Sequence, residues 1–175
     1  MTNFWHDLEP GEVGKINVIV EIPKGSKNKY ELDKATGLIA LDRVLYSAQE
    51  FPFDYGFVPQ TLWEDDDPVD VIILTTHPLL SGTLIRVRPV ALMKMIDDGE
   101  SDDKIIAVPV DDPRWQSVND LKDLNPHTVK EIGHFFSTYK KLQNKEVQVT
   151  GFEGRPAAEK VFRRGLELYR AKFAK

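Results

Sequence analysis

The sequence predicts an α+β chain, mainly β: a small barrel or curled sheet with two C-terminal helices packed against it. Two observations carry this. Short alternating apolar segments, separated by turn residues, fill residues 15–110, and after residue 125 the apolar positions change to helical spacing.

Ile16, Val18, Val20 and Ile22 alternate with Lys15, Asn17, Ile19 and Glu21, which predicts a half-buried strand with Glu21 on the face opposite the aliphatic row. Pro23-Lys24-Gly25-Ser26 is a turn. Lys29, Glu31 and Asp33 share one face of a second strand, and Ala35-Thr36-Gly37 closes a hairpin into residues 38–45, which carry Arg43. Residues 51–56 form an aromatic loop, and residues 69–74 read as a buried strand. Residues 84–95 make a long strand, bent or bulged near Pro89. A loop at 97–103 leads into a strand at 104–110. Asn125-Pro126 reads as N-cap and first turn of a helix carrying Val129, Ile132, Phe135, Phe136, Tyr139 and Leu142. A short strand at 146–150 follows. Pro156 then opens a final helix with Ala158, Val161, Phe162, Leu166, Tyr169 and Phe173 as its apolar positions.

The 175 residues suffice for one domain, 1–175, with a real core. A net charge of -5 disfavours nucleic acid and anionic membrane as partners. With no cysteine there is neither a disulfide framework nor thiolate chemistry. The N-terminus has no basic region followed by an apolar stretch, and no apolar run approaches a membrane span, so the expected location is cytoplasmic.

The chemistry concentrates in two loops, 64–70 and 97–103, each with five acids in seven residues. In the first, Asp65, Asp67 and Asp70 stand at i, i+2 and i+5 around Pro68. Carboxylates this close repel and raise one another's pKa, and a hard divalent cation relieves both effects. The EF-hand pattern fails: counted from Asp65, positions 6 and 12 are Asp70 and Thr76, and counted from Asp97 they are Asp102 and Val108. A dedicated zinc site is not supported, with no cysteine and no His-Glu-x-x-His helix. An oxygen-only donor set suits Mg²⁺ or Mn²⁺, ions that commonly sit with substrate phosphates. Lys29, Arg43 and Lys140 supply cations on ordered elements, and Arg43 offers a bidentate fork to a phosphoryl group. No Walker A, Gly-x-Gly-x-x-Gly or Gly-x-Ser-x-Gly pattern is present. Metal-assisted hydrolysis of a small phosphate compound remains. Its rivals are a non-enzymatic OB-type module, disfavoured by the acidic loops, and a hydrolase of another phosphoanhydride such as a nucleotide.

Asp65-Asp66-Asp67-Pro68-Val69-Asp70-Val71 resembles the signature of the soluble, Mg²⁺-dependent, barrel-type (family I) inorganic pyrophosphatases. Val20-Glu21-Ile22-Pro23, Lys29-Tyr30-Glu31, Leu41-Asp42-Arg43, Asp54-Tyr55-Gly56, Lys94-Met95, Asp97, Asp102, Lys104, Ala107-Val108-Pro109, His134-Phe135-Phe136 and Tyr139-Lys140 extend the likeness over roughly residues 14–150. The length is similar to that of the compact prokaryotic type. The resemblance implies a five-stranded OB-like barrel, hydrolysis of pyrophosphate to two phosphates by a metal-bridged water, and several Mg²⁺ per site, with Mn²⁺ or Zn²⁺ as substitutes. It implies Asp65, Asp70, Asp97 and Asp102 as metal ligands, supported by Glu21 and Glu31, and Asp67 as general base. Lys29, Arg43, Tyr139 and Lys140 would hold the phosphates, with Tyr55 and Lys104 also on the substrate side. A homo-hexamer is implied as well. Phe51 departs from the family's usual tyrosine and Asp98 from its usual glutamate.

Overall fold

The computed structural model describes residues 2–173. Its strands are β1 (Gly11–Glu12), β2 (Lys15–Ile22), β3 (Asn28–Leu32), β4 (Ile39–Val44), β5 (Asp54–Phe57), β6 (Asp70–Ile73), β7 (Leu84–Asp97), β8 (Glu100–Ser101), β9 (Lys104–Pro109) and β10 (Val147–Gly154). The helices are α1 (Pro126–Thr138) and α2 (Arg155–Phe173).

Five strands close a ring. β2 pairs with β5, β5 with β6, β6 with β9, β9 with β7, and β7 returns to β2. Only the β6–β9 pair in this ring is parallel. Closure depends on β7, whose 14 residues serve four neighbours: its start pairs with β2, its middle with β9, and its end with β10 and the short β8. The register on β9 shifts between Pro89 and Ala91. Proline has no N–H to give the ladder, so the strand bends there, as its sequence predicts. β3 and β4 form a separate two-stranded hairpin beside the ring.

Two helices cover the ring. Asn125 Oδ1 accepts the His127 N–H at 2.8 Å and Pro126 occupies the first turn, which starts α1. Ile132, Phe135 and Phe136 of α1 pack with Phe51, Phe53, Tyr55, Ile72 and Ile106 in one cluster. The Phe53 and Phe136 rings stack at 5.6 Å, and Phe51 meets Phe135 at 4.8 Å. α2 contributes Ala158, Val161 and Phe162 to a second cluster with Val18, Val20, Val71, Ile73 and Ile105. Each fully buried side chain of this size contributes about 1.5–3 kcal/mol. Phe136→Ala would cost about 3–5 kcal/mol by leaving a cavity.

The structure corrects four readings. β2 is not half-buried: from Val18 to Ile22 every residue is buried, because Ile19 faces a third cluster with Trp5, Phe57 and Leu62. Leu142 is exposed at 65% in a 3₁₀ turn beyond α1, since the helix has ended at the Tyr139 cap. The last strand runs to Gly154 and feeds α2 directly. The 97–103 segment is a hairpin, not an open loop: Asp98 and Gly99 both have positive φ (48° and 86°) and connect Asp97 to its partner Glu100. Asp-Gly is a favoured dipeptide for such a two-residue turn.

Candidate active site

The first acidic loop, between β5 and β6, is closed at its stem. The Val58 N–H donates to the Val69 carbonyl at 3.0 Å, and the Thr61 hydroxyl bridges the Val58 carbonyl (2.7 Å) and the Val69 N–H (3.0 Å). Gly165 of α2 presses on this stem. Its carbonyl accepts the Leu62 N–H at 3.0 Å, and a Cβ there would stand 2.5 Å from Val69 Cγ2. At the tip, the Trp63 N–H donates to the Asp67 carbonyl (2.7 Å), and the Asp67 N–H donates to Asp65 Oδ1 (3.1 Å).

Four other elements bring chemistry to the same side. In β2 the register slips between Val20 and Ile22, leaving Glu21 in a bulge. There its Oε1 accepts the Leu32 N–H at 2.8 Å and ties the hairpin to the ring. On the hairpin Lys29 stands directly opposite Arg43, and Asp42 Oδ2 accepts from both, at 3.1 and 2.6 Å. Lys29 also pairs with the exposed Glu31. Lys104, the first residue of β9, is 2% exposed and donates to Asp70 Oδ2 (2.7 Å) and Asp102 Oδ1 (2.8 Å). The Tyr55 and Phe136 rings flank its ammonium at 5.5 and 5.6 Å. Lys140, just past the α1 cap, pairs with Asp97 at the end of β7.

These side chains line one cavity of about 580 Å³. All thirteen residues singled out from the sequence are on its wall: Glu21, Lys29, Glu31, Arg43, Tyr55, Asp65, Asp67, Asp70, Asp97, Asp102, Lys104, Tyr139 and Lys140. With Asp33 and Lys34 the wall holds eight carboxyl groups against five cations, an excess of three acids.

Burial and crowding act on the acids. Burial, with repulsion from Asp70, raises Glu21 to about 8 against the opposing pull of the Leu32 N–H and Lys29. Burial raises Asp65 to about 6, helped by Asp70 and Asp102. Asp70 is raised by burial even though Lys104 counters it. Burial would lower Lys104, but Asp70 and Asp102 outweigh it and hold the ammonium above its ordinary range. Lys29 is lowered by burial despite Asp42. Burial raises the Tyr55 and Tyr139 hydroxyls, so both stay protonated donors. Among the described residues five side-chain polar atoms are buried without a hydrogen-bond partner, and two of them, Asp97 Oδ1 and Arg43 Nε, belong to residues of the cavity wall. Among the described residues, no three Asp, Glu or His side chains stand close enough to cage an ion, and Lys104 and Lys140 reach among the carboxylates instead.

The inorganic pyrophosphatase family model matches residues 18–170. The chain belongs to the inorganic pyrophosphatase family. It is 53% identical to soluble inorganic pyrophosphatase 1 of Arabidopsis thaliana over 167 residues, which cover 94% of this chain and 79% of that one. The Zea mays soluble inorganic pyrophosphatase is equally similar, at 53% over 94% of this chain and 78% of that one. The fold superposes on the crystal structure of the Thermus thermophilus inorganic pyrophosphatase with a TM-score of 0.93, at 42% identity over 97% of this chain and 99% of that one. For the Helicobacter pylori enzyme the TM-score is 0.90, at 44% identity over 93% and 98%. The near-complete coverage of the bacterial chains matches the compact length.

Three features of this pyrophosphatase fold escape a reading of its sequence. Asp42 holds Lys29 and Arg43 together; the carboxylate next to an arginine was the available signal. Lys34, on the hairpin turn, pairs with Asp67. Asp103, adjacent to Asp102, is buried and paired with Lys94, away from the cavity, and nothing in the run of acids distinguishes the two. Phe51 is buried in the aromatic cluster and Asp98 is exposed beside Lys145; neither lines the cavity.

Proposed function

We propose that the chain, as one catalytic domain, hydrolyses inorganic pyrophosphate to two phosphates, with Mg²⁺ as its resident cation. The observation that carries this reading is that carboxylates and cations suited to phosphate face each other in one cavity of about 580 Å³. The donor set fits a hard cation. It is all oxygen, its acids outnumber the neighbouring cations, Asp97 Oδ1 is buried without a partner, and Asp65 and Glu21 are raised into the range where a cation would replace their protons.

Asp65, Asp70, Asp97 and Asp102 would hold the metal, with Glu21 and Glu31 supporting it. Bound there, Mg²⁺ supplies charge neutralisation to pyrophosphate and makes water more acidic. Asp67 accepts the proton of the attacking water, a role for a carboxylate on a stiffened turn within hydrogen-bond reach. Lys29, Arg43, Tyr139 and Lys140 bind the phosphate oxygens and steady the leaving group. Arg43 Nε, buried without a partner, gains one on binding an oxyanion, and the partly desolvated Lys29 gains a counter-charge. Lys104 keeps Asp70 and Asp102 aligned through its two hydrogen bonds. Tyr55, its hydroxyl kept protonated by burial, is a donor on the same wall. A cytoplasmic homo-hexamer belongs to the same proposal, and sedimentation of the purified protein tests the assembly.

The test is phosphate release from pyrophosphate, and from ATP beside it, with Mg²⁺, Mn²⁺ or EDTA. Rapid release from pyrophosphate that disappears in EDTA supports the reading. Preference for ATP would replace it with a nucleotide hydrolase.

A further inference from the structure

Asp66 stands between Asp65 and Asp67 and, unlike both, does not line the cavity. Its φ is 66°, in the left-handed region that costs most residues energy and that Asp and Asn tolerate better. Three elements hold it there. Its N–H donates to the Trp63 carbonyl at 3.2 Å. Its carbonyl accepts from Lys34 Nζ of the hairpin turn at 3.1 Å. Its carboxylate accepts from Lys172 Nζ, in the last turn of α2, at 2.6 Å. That end of α2 is itself tied to the loop stem: Phe173 meets the Trp5 ring edge-on at 5.4 Å, and Trp5 Nε1 donates to the Thr61 carbonyl at 2.8 Å. Lys34 Nζ lies 5.4 Å from the same Trp5 ring and also pairs with Asp67.

We propose that Asp66 is a positioning residue: its tether to Lys172 fixes the left-handed turn that aims Asp65 and Asp67, on either side of it, into the cavity. This rests on the reading of Asp65 as a metal ligand and Asp67 as the base. Removing the Lys172 contact leaves the Lys34 contact on the hairpin side in place, so the loss falls on metal binding and turnover rather than on the phosphate-holding cations of the hairpin and past α1.

Asp66→Gly keeps the left-handed conformation and deletes the carboxylate. Lys172→Ala deletes the other end, and Lys172→Arg preserves the charge. Hydrogen exchange at the 65–67 amides of the metal-free protein is the first readout, and Mg²⁺ affinity, kcat and KM for pyrophosphate are the second. Asp66→Gly and Lys172→Ala should each speed loop exchange and lower Mg²⁺ affinity and kcat roughly twofold to fivefold, the scale of an exposed ion pair, with KM for pyrophosphate unchanged. Lys172→Arg should behave as wild type. The double variant should be no worse than either single one, because both remove the same contact. Wild-type exchange in either deletion variant, or additive losses in the double, would overturn the proposal. A wild-type chain that exchanges as described but leaves pyrophosphate intact would overturn the functional reading, while the exchange data still decide the tether.

Discussion

Lys104 Nζ lies 2.7 Å from Asp70 Oδ2, and the two residues begin the neighbouring strands β9 and β6, the parallel pair of the ring. The ammonium is almost wholly buried and also holds Asp102. A lysine in this position is therefore an internal counter-charge for acids that the fold has desolvated.

Removing it should leave those acids uncompensated. Lys104→Met is expected to destabilise the metal-free protein by about 3–5 kcal/mol, the usual cost of breaking a buried pair from one side. Thermal unfolding in EDTA measures this. Mg²⁺ should recover more stability in the variant than in wild type, because a cation then takes the place of the ammonium.

The raised acids set a pH dependence. Glu21 moves from 4.5 to about 8 on folding and Asp65 from 3.8 to about 6. Between the unfolded and folded values the native state binds more protons than the unfolded chain. Stability in EDTA therefore falls as pH rises from about 4 to about 8, and is highest at the acid end of that window as far as these two groups are concerned. Unfolding midpoints across that range should decline, and Glu21→Gln should flatten the decline at its alkaline end. Saturating Mg²⁺ should flatten it in wild type.

Arg43 presents a planar fork whose Nη1 is held by Asp42 and whose Nε is buried without a partner. Arg43→Lys keeps the charge and loses the fork. Steady-state kinetics should show a higher KM for pyrophosphate and a kcat reduced roughly tenfold or more, since each lost charge-assisted bond is worth about 1.5–3 kcal/mol. Unchanged constants would remove Arg43 from the substrate contacts.

Gly165 allows α2 to seat against the acidic loop. Gly165→Ala places a methyl against Val69 Cγ2 at 2.5 Å and Thr61 Cβ at 3.2 Å. Overpacking of this kind costs about 1–3 kcal/mol. Denaturant unfolding should register that loss, and Mg²⁺ affinity should fall with it as the loop stem shifts.

The barrel and its site were legible in the sequence to unequal degrees. Residues that carry a periodic pattern or a rigid dipeptide were read well: the bend at Pro89, the Asn125-Pro126 helix start, and the hairpin whose neighbouring strands carry Lys29 and Arg43. The alternation around Glu21 misled, because alternation reports one covered face, and the bulge and the packing of Ile19 against Trp5 depend on residues far away in the chain. Leu142 continues the helical spacing of α1, but the helix stops where Tyr139 and Lys140 turn toward the cavity. Density alone would not separate Asp102 on the cavity from Asp103 in the core, or Asp66 from its two neighbours; the i, i+2, i+5 spacing set Asp65, Asp67 and Asp70 apart, and the family resemblance singled out Asp97 and Asp102. Those distinctions are made by Lys94 and Lys172, whose approach only the fold determines.

Asp67 is the proposed base for Mg²⁺-dependent attack of water on pyrophosphate. Phosphate release at mildly alkaline pH, with Mg²⁺ and with EDTA, for wild type and Asp67→Asn, tests it most directly. Wild type should release phosphate rapidly and only without EDTA, and a folded Asp67→Asn that still binds Mg²⁺ should lose roughly 10²–10⁴ in kcat. A near-normal kcat in that variant would contradict it.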